Sequence, residues 1–151
     1  MELNLPKYDF NISKDEKGTV TIYDRLRRRY VALTPEEWVR QHFTRFLIEE
    51  RGFPEGLMAN EVSLTQNGIH RRCDTLVADP GGEPLAIVEY KAPSVTVTQK
   101  TFDQIVRYNM VLKARYLMVS NGLAHYCCEI DYDTGTYRFL QDIPPYSTLA
   151  R

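Results

Sequence analysis

The four residues Leu85-Ala86-Ile87-Val88 are apolar at every position. Successive side chains of a strand point to opposite faces, so an apolar run without alternation belongs to a strand covered on both sides. A chain carrying such a run must supply cover for both faces of a sheet, and the flanking sequence offers two helices. Thr34-Pro35-Glu36-Glu37 opens the first: Thr34 caps it, Pro35 takes the first helical position, and Glu37 completes a Thr-x-x-Glu capping box. Its apolar face is Val39, Phe43, Phe46 and Leu47, and Gly52 followed by Pro54 ends it. The second helix is predicted from about Thr98 or Thr101 to Lys113.

Strand signals cluster around the buried run, at 60–65, 72–78 and 85–91, separated by the turn sequences Asn67-Gly68 and Asp79-Pro80-Gly81-Gly82. These three strands form an antiparallel meander. Tyr116-Leu117-Met118-Val119-Ser120 reads as a further buried strand, Asn121-Gly122 as a turn, and 125–130 and 137–140 as edge strands. Residues 7–33 read as an extended lead-in, a hairpin or pair of edge strands that includes the alternating run Thr19-Val20-Thr21-Ile22-Tyr23. The fold class is therefore α/β: a central mixed sheet, made of the meander plus the further buried strand, flanked by two helices and preceded by an N-terminal extended hairpin. One domain is expected over 1–151, with a lead-in at 1–33 and a core at 34–145.

With 19 Lys and Arg against 20 Asp and Glu, the net charge of -1 excludes nucleic-acid binding through overall charge, so any phosphate contact must be local. Arg25, Arg27, Arg28, Arg29, Arg71 and Arg72 are the candidates, although the alternation from Arg25 to Tyr30 also suits a strand edge protected against pairing. Cys73, Cys127 and Cys128 lack C-x-x-C spacing and read as free thiols in a reducing compartment. Cys127 and Cys128 are neighbours on a strand and point to opposite faces, which argues against zinc at His125-Tyr126-Cys127-Cys128. No apolar stretch is long enough to cross a bilayer and no secretory leader is present, so a soluble, cytoplasmic chain without a membrane partner is expected.

The meander also carries chemistry. Glu89 and Lys91 lie two apart on the third strand and share a face, and the turn between strands brings Asp74 alongside Glu89. Two carboxylates a few ångströms apart repel by roughly 4 kcal/mol at a surface-like effective dielectric, and a hard divalent cation with oxygen ligands removes that repulsion. Mg²⁺ is the natural occupant, with Mn²⁺ as a substitute. The cation would polarise a phosphoryl oxygen and acidify a bound water, with Lys91 orienting or deprotonating that water. The bland alternative is an exposed strand-end charge pair with Asp74 as a turn acid.

The chain resembles the PD-(D/E)XK nuclease superfamily, and within it the N-terminal endonuclease domain of type I restriction enzyme R subunits. The resemblance is carried by Thr34-Pro-Glu-Glu-Trp-Val-Arg-Gln41, Arg72-Cys-Asp-Thr-Leu-Val77, Ile87-Val-Glu-Tyr-Lys-Ala-Pro93, Gln104-Ile-Val-Arg-Tyr-Asn109 and Tyr116-Leu-Met-Val-Ser-Asn-Gly122, and covers about residues 30–145. It implies a restriction-endonuclease-like core. It also implies that Asp74 and Glu89, with the Tyr90 backbone carbonyl, bind the metal, and that Lys91 activates water. Gln104 and Tyr108, four apart on one face of the second helix, would support substrate or the lysine. A further acid on the first helix is expected. Glu36 is favoured because its spacing to Val39, Arg40 and Phe43 places it inward, whereas Glu37 is accounted for by capping.

The implied function is Mg²⁺-dependent DNA endonuclease activity, by phosphodiester hydrolysis, with DNA and a specificity or motor subunit as partners and a homodimer as a further option. The sequence contains no G-x-x-x-x-G-K-[ST] loop, so it lacks the ATP-dependent motor of an R subunit. Tyr90, where relatives often carry a smaller residue, is expected to face away from the site. The alternative function is a catalytically silent, nuclease-like module that binds nucleic acid or a partner.

Overall fold

A computed structural model describes residues 2–151. Among the described residues, nine strands form two sheets, accompanied by three α-helices. The first holds β1 (Ile12–Lys14), β2 (Val20–Asp24) and β3 (Arg29–Ala32), antiparallel and in chain order. The lead-in is thus three-stranded. Residues 25–28 form the turn between β2 and β3, with Arg28 at a positive φ of 54°, so the arginine run is not the alternating strand edge its pattern suggested.

The second sheet runs β4 (Met58–Gln66), β5 (Ile69–Ala78), β6 (Pro84–Tyr90), β7 (Tyr116–Ser120), β8 (His125–Asp131) and β9 (Thr136–Phe139). All neighbours are antiparallel except β6 and β7, which are parallel and joined through α2 (Gln99–Asn109). The sheet is therefore mixed, with β6 inside it as its apolar run requires.

α1 (Pro35–Arg51) starts where the sequence places it. Thr34 is extended and its side chain accepts the Glu37 N–H, and Gly52 at φ 67° closes the helix through its N–H to the Leu47 carbonyl. The Glu37 carboxylate does not return to the cap, since buried partners claim it, and the capping box is only half made. α1 covers one face of the sheet: Val39, Phe43 and Leu47 pack with Ala86, Val88 and Tyr90 of β6 and with Met118 of β7. α2 covers the other, with Phe102 and Val106 against Ile87, Leu117, Val119 and Cys128. From Ala86 onward, odd and even positions of β6 and β7 thus enter different cores, the physical content of an apolar run without alternation. Cys127 and Cys128 divide between the same two cores, and all three cysteines are free and buried.

α2 ends at Asn109, earlier than Lys113, because a 3₁₀ turn at Met110–Leu112 takes over and Lys113 stops it in the left-handed region. A last short helix, α3 (Tyr146–Leu149), closes the first core: Leu149 is buried there, Tyr146 Oη donates to the Ala78 carbonyl, and Arg51 Nε donates to the Ile143 carbonyl. Among the described residues, no helix is long and apolar enough to cross a membrane.

Candidate active site

The six-stranded sheet forks at one point. β5 and β6 pair from Ala78 opposite Pro84 to Thr75 opposite Val88, and then the ladder stops. β5 continues with β4 to the Gln66–Ile69 turn, while β6 continues with β7 through Tyr90 opposite Ser120 and a bond from Lys91 N–H to the Ser120 carbonyl. Asp74 and Glu89 are the next residues at the mouth of the fork. The Asp74 carboxylate accepts the Tyr90 N–H at 2.9 Å, so a side chain satisfies a backbone donor that the ladder leaves.

The two carboxyl groups lie within hydrogen-bonding reach of each other. Burial and then the Asp74 charge push the Glu89 carboxyl well above the usual carboxylate range, against the weaker opposite effects of Asn109 and Lys91. Glu89 Oε1 is buried and has no hydrogen-bond partner. Cys73 senses the same acids: burial, then Glu89 and Asp74, push its thiol up to about 12. A cleft of about 540 Å³ opens onto the fork, lined among others by Asp74, Glu89, Tyr90, Lys91, Glu37 and Arg40. The sheet thus brings Asp74, Glu89 and Lys91 to one place.

Tyr90 turns its ring into the α1 core and its hydroxyl to Thr75 Oγ1 at 2.9 Å, while its backbone stays at the fork. Among the described residues, no group of three or more His, Cys, Asp or Glu side chains is placed to hold a metal ion. Two carboxylates and a carbonyl nevertheless suit Mg²⁺, which keeps several waters and takes remaining oxygens from phosphate. The orphaned Glu89 Oε1 is the specific fit: a buried acceptor next to a second acid lacks the positive partner a cation would provide.

Gln104 and Tyr108 do not join this cleft. Gln104 is exposed, and Tyr108 is 44% exposed with its ring under Arg71, whose guanidinium carbon lies 4.6 Å from the ring centroid. Packing explains the difference: Phe102 and Val106 fix the buried stripe of α2, and the residue completing that stripe is Asn109. Asn109 is buried, donates through Nδ2 to the Ile105 carbonyl, and bears on Glu89, yet its Oδ1 has no partner. The spacing Phe102, Val106, Asn109 was the sequence signal for it.

The acids of α1 are also distributed differently from expectation. Glu36 lines the cleft but is exposed, whereas Glu37 is buried beneath Arg27, Arg40 and Gln41, whose nitrogens lie 2.6 to 2.9 Å from its carboxylate oxygens. Burial alone would raise the Glu37 pKa; those donors outweigh it and hold the carboxyl below its usual range. Glu37 is thus tied to arginine rather than left free as a ligand.

The candidate phosphate-binding arginines are largely engaged within the chain. Arg25 pairs with Glu55, Arg27 with Asp24 and Glu37, and Arg72 with Glu61, while Arg71 Nε donates to the Tyr108 carbonyl. Arg28 and Arg29 are exposed on the β2–β3 hairpin.

A mixed sheet forked at paired acids, with helices on both faces, defines a restriction-endonuclease-like core. The family model for the type I restriction enzyme R protein N terminus (HSDR_N) matches residues 35–144, and the chain belongs to that family. Among solved structures it is similar to a fragment described as the HsdR subunit of a type I restriction enzyme from Vibrio vulnificus YJ016, at 25% identity and a TM-score of 0.56. The match covers 78% of this chain and 24% of that one, so the chain spans about a quarter of its length. No curated protein matches.

Proposed function

We propose that this domain is a Mg²⁺-dependent DNA endonuclease, Mn²⁺ substituting, that hydrolyses phosphodiesters at the β5–β6 fork. The observation that carries this reading is the partly buried pair Asp74 and Glu89, with its buried and unpartnered Glu89 oxygen, beside Lys91 in an open cleft. Asp74, Glu89 and the Tyr90 carbonyl hold the cation. When bound, that ion supplies polarisation of the phosphoryl oxygens and an acidified water. Lys91 carries the proton step and offsets the charge that develops on the phosphate, while Tyr90 anchors the strand through Thr75. Gln104 and Tyr108, exposed on α2, support substrate, while Glu36, exposed at the rim of the cleft, stays outside the metal's ligands.

The internal pairing of Arg25, Arg27 and Arg72, together with a net charge of -1, leaves this surface with little positive charge for gripping a duplex. DNA is therefore delivered by a specificity or motor subunit, in keeping with membership of an R-protein family.

Purified chain incubated with supercoiled, linear and branched DNA plus Mg²⁺ or Mn²⁺ tests the proposal. Nicking or cutting that disappears with EDTA and in Lys91→Ala is expected. No cutting by wild type at any concentration, or equal cutting by Lys91→Ala, overturns it in favour of a silent binding module.

A further inference from the structure

Arg40 is a charged side chain only 6% exposed, and each of its nitrogens has work inside the protein. Nε donates to Glu37 Oε2 at 2.9 Å, and Nη2 donates to Glu37 Oε1 at 2.6 Å and to Glu61 Oε1 at 3.2 Å. Nη1 donates to the backbone carbonyl of Asp74 at 3.0 Å. The guanidinium also lies 6.0 Å from the centre of the Tyr90 ring. One side chain of α1 thereby touches β4, β5 and β6 where the sheet divides.

The residue across from Asp74 on β4 is unusual. Glu61 adopts φ 56°, a left-handed conformation costly for a residue with a Cβ. The β4–β5 register passes from Asn60 opposite Thr75 to Val62 opposite Cys73 and omits the Glu61–Asp74 position. Asp74 therefore sits where regular pairing lapses on both sides, with β6 lost beyond Thr75 and β4 irregular at Glu61. A carbonyl without a regular ladder partner needs another donor, and the Arg40 guanidinium supplies it. Glu61 is held in turn by Arg40 on one oxygen and by Arg72 on the other at 3.1 Å.

We propose that Arg40 is a positioning residue: locked between Glu37 and Glu61, its guanidinium fixes the Asp74 backbone at the fork and so aims the Asp74 carboxylate at the cation site. The inference rests on the metal-binding reading above. Glu37 then contributes to the site without coordinating metal, by holding Arg40. Lysine would not serve, because the arrangement uses a planar fork with donors in three directions, which an ammonium on a flexible stem cannot reproduce.

The test is calorimetric titration of the full chain with Mn²⁺ alone, on wild type, Arg40→Lys, Glu61→Asn and Asp74→Asn, each checked for a cooperative thermal transition. Glu61→Asn tolerates the left-handed backbone but is too short to keep both arginine contacts, and at a partly exposed position it avoids the folding risk of Arg40→Lys. Folded Arg40→Lys is expected to bind Mn²⁺ about tenfold more weakly, the usual cost of losing a group that orients a metal ligand. Glu61→Asn is expected to bind severalfold more weakly, and DNA cutting by both variants should recover at raised Mn²⁺, which cutting by Lys91→Ala does not. Wild-type Mn²⁺ affinity in folded Glu61→Asn and in any folded Arg40→Lys overturns the inference. If wild type takes up no Mn²⁺, the metal-dependent function itself fails, a result visible before any variant is compared.

Discussion

Asp74 and Glu89 face each other at the position where β5 and β6 stop pairing, and Glu89 keeps one buried oxygen without a partner there. Two acids so placed destabilise the metal-free protein. Asp74→Asn should relieve that repulsion, because the amide oxygen can still accept the Tyr90 N–H while the amide nitrogen can donate to Glu89. We expect its melting temperature in EDTA to rise by about 3 °C, corresponding to roughly 1 kcal/mol. Wild type is expected to gain stability from Mn²⁺, and the same substitution should abolish that gain. Differential scanning calorimetry with and without Mn²⁺ measures both, and an unchanged response to Mn²⁺ would count against the cation site.

Lys91 and the acids should separate into chemistry and binding. Lys91→Met removes a charge that helps ionise Glu89 but also repels the metal, and the second effect is the larger for a divalent ion, so Mn²⁺ affinity should hold or tighten. Cutting should fall by about 10²- to 10⁴-fold, the range for loss of a positioned proton-transfer group. Parallel calorimetry and plasmid nicking check the pair of outcomes. Joint loss of binding and cutting would make Lys91 structural.

Gln104 and Asn109 make a contrasting pair on α2. Gln104→Ala changes an exposed side chain and should leave the melting temperature within about 2 °C of wild type, with Mn²⁺ affinity unaltered. Asn109→Ala removes a buried amide that caps the Ile105 carbonyl and bears on Glu89, and should cost about 1–3 kcal/mol. Urea melts of the two variants, scored side by side, give the comparison.

Gly122 in the Asn121-Gly122 turn is at φ 86°, and a Cβ there would lie 2.7 Å from Leu3 Cδ2 and 3.1 Å from Val39 Cγ2. The Leu3 side chain can move, but Val39 belongs to the core face of α1. Gly122→Ala should therefore lose about 1–3 kcal/mol, from left-handed strain together with displaced packing. Equilibrium denaturation measures it, and a neutral outcome would mean that the N-terminal segment does not pack as described.

Two sets of buried groups lose their contribution as pH falls, the histidines first and the arginine-held acids second. Burial lowers the pKa of His42 and His125 below the unfolded value near 6.5, so the unfolded chain binds more protons. Their contribution should fall as pH drops through that value towards the folded ones, while Glu89 works the other way, its raised carboxyl taking up a proton in the folded chain first and so stabilising the fold as pH drops. Asp24 and Glu37 come next. Burial opposes their ionisation, but Arg27 and Asn60 at Asp24, and Arg40, Gln41 and Arg27 at Glu37, hold both below their usual range. Their contribution is present above the unfolded pKa near 4 and is lost as pH falls through the folded values. A series of melting temperatures from pH 8 to pH 3 should show the Asp24 and Glu37 decline, and the histidine contribution as the difference between wild type and His42→Gln with His125→Gln.

What the sequence by itself determined is what depends on near neighbours in the chain. The unbroken apolar run placed β6 inside the sheet, Thr34, Pro35 and Gly52 set both ends of α1, and the Asn-Gly and Asp-Pro-Gly-Gly turns delimited the meander that carries Asp74 and Glu89. Caps, turns and the two-residue period act over a few residues, so they are readable without tertiary structure. The tertiary structure alone decided which residues of a helix meet the site. Turning Glu37 inward and Glu36 outward, and presenting Asn109 in place of Gln104 and Tyr108, requires the rotation of each helix about its own axis. That rotation is fixed by how Phe43 and Phe102 seat against opposite faces of the sheet. Likewise the left-handed Glu61 and the reach of Arg40 to the Asp74 carbonyl join residues 13 to 34 positions apart. Their contact exists only once β4, β5 and α1 have packed, because no local preference brings a strand carbonyl to a helix guanidinium.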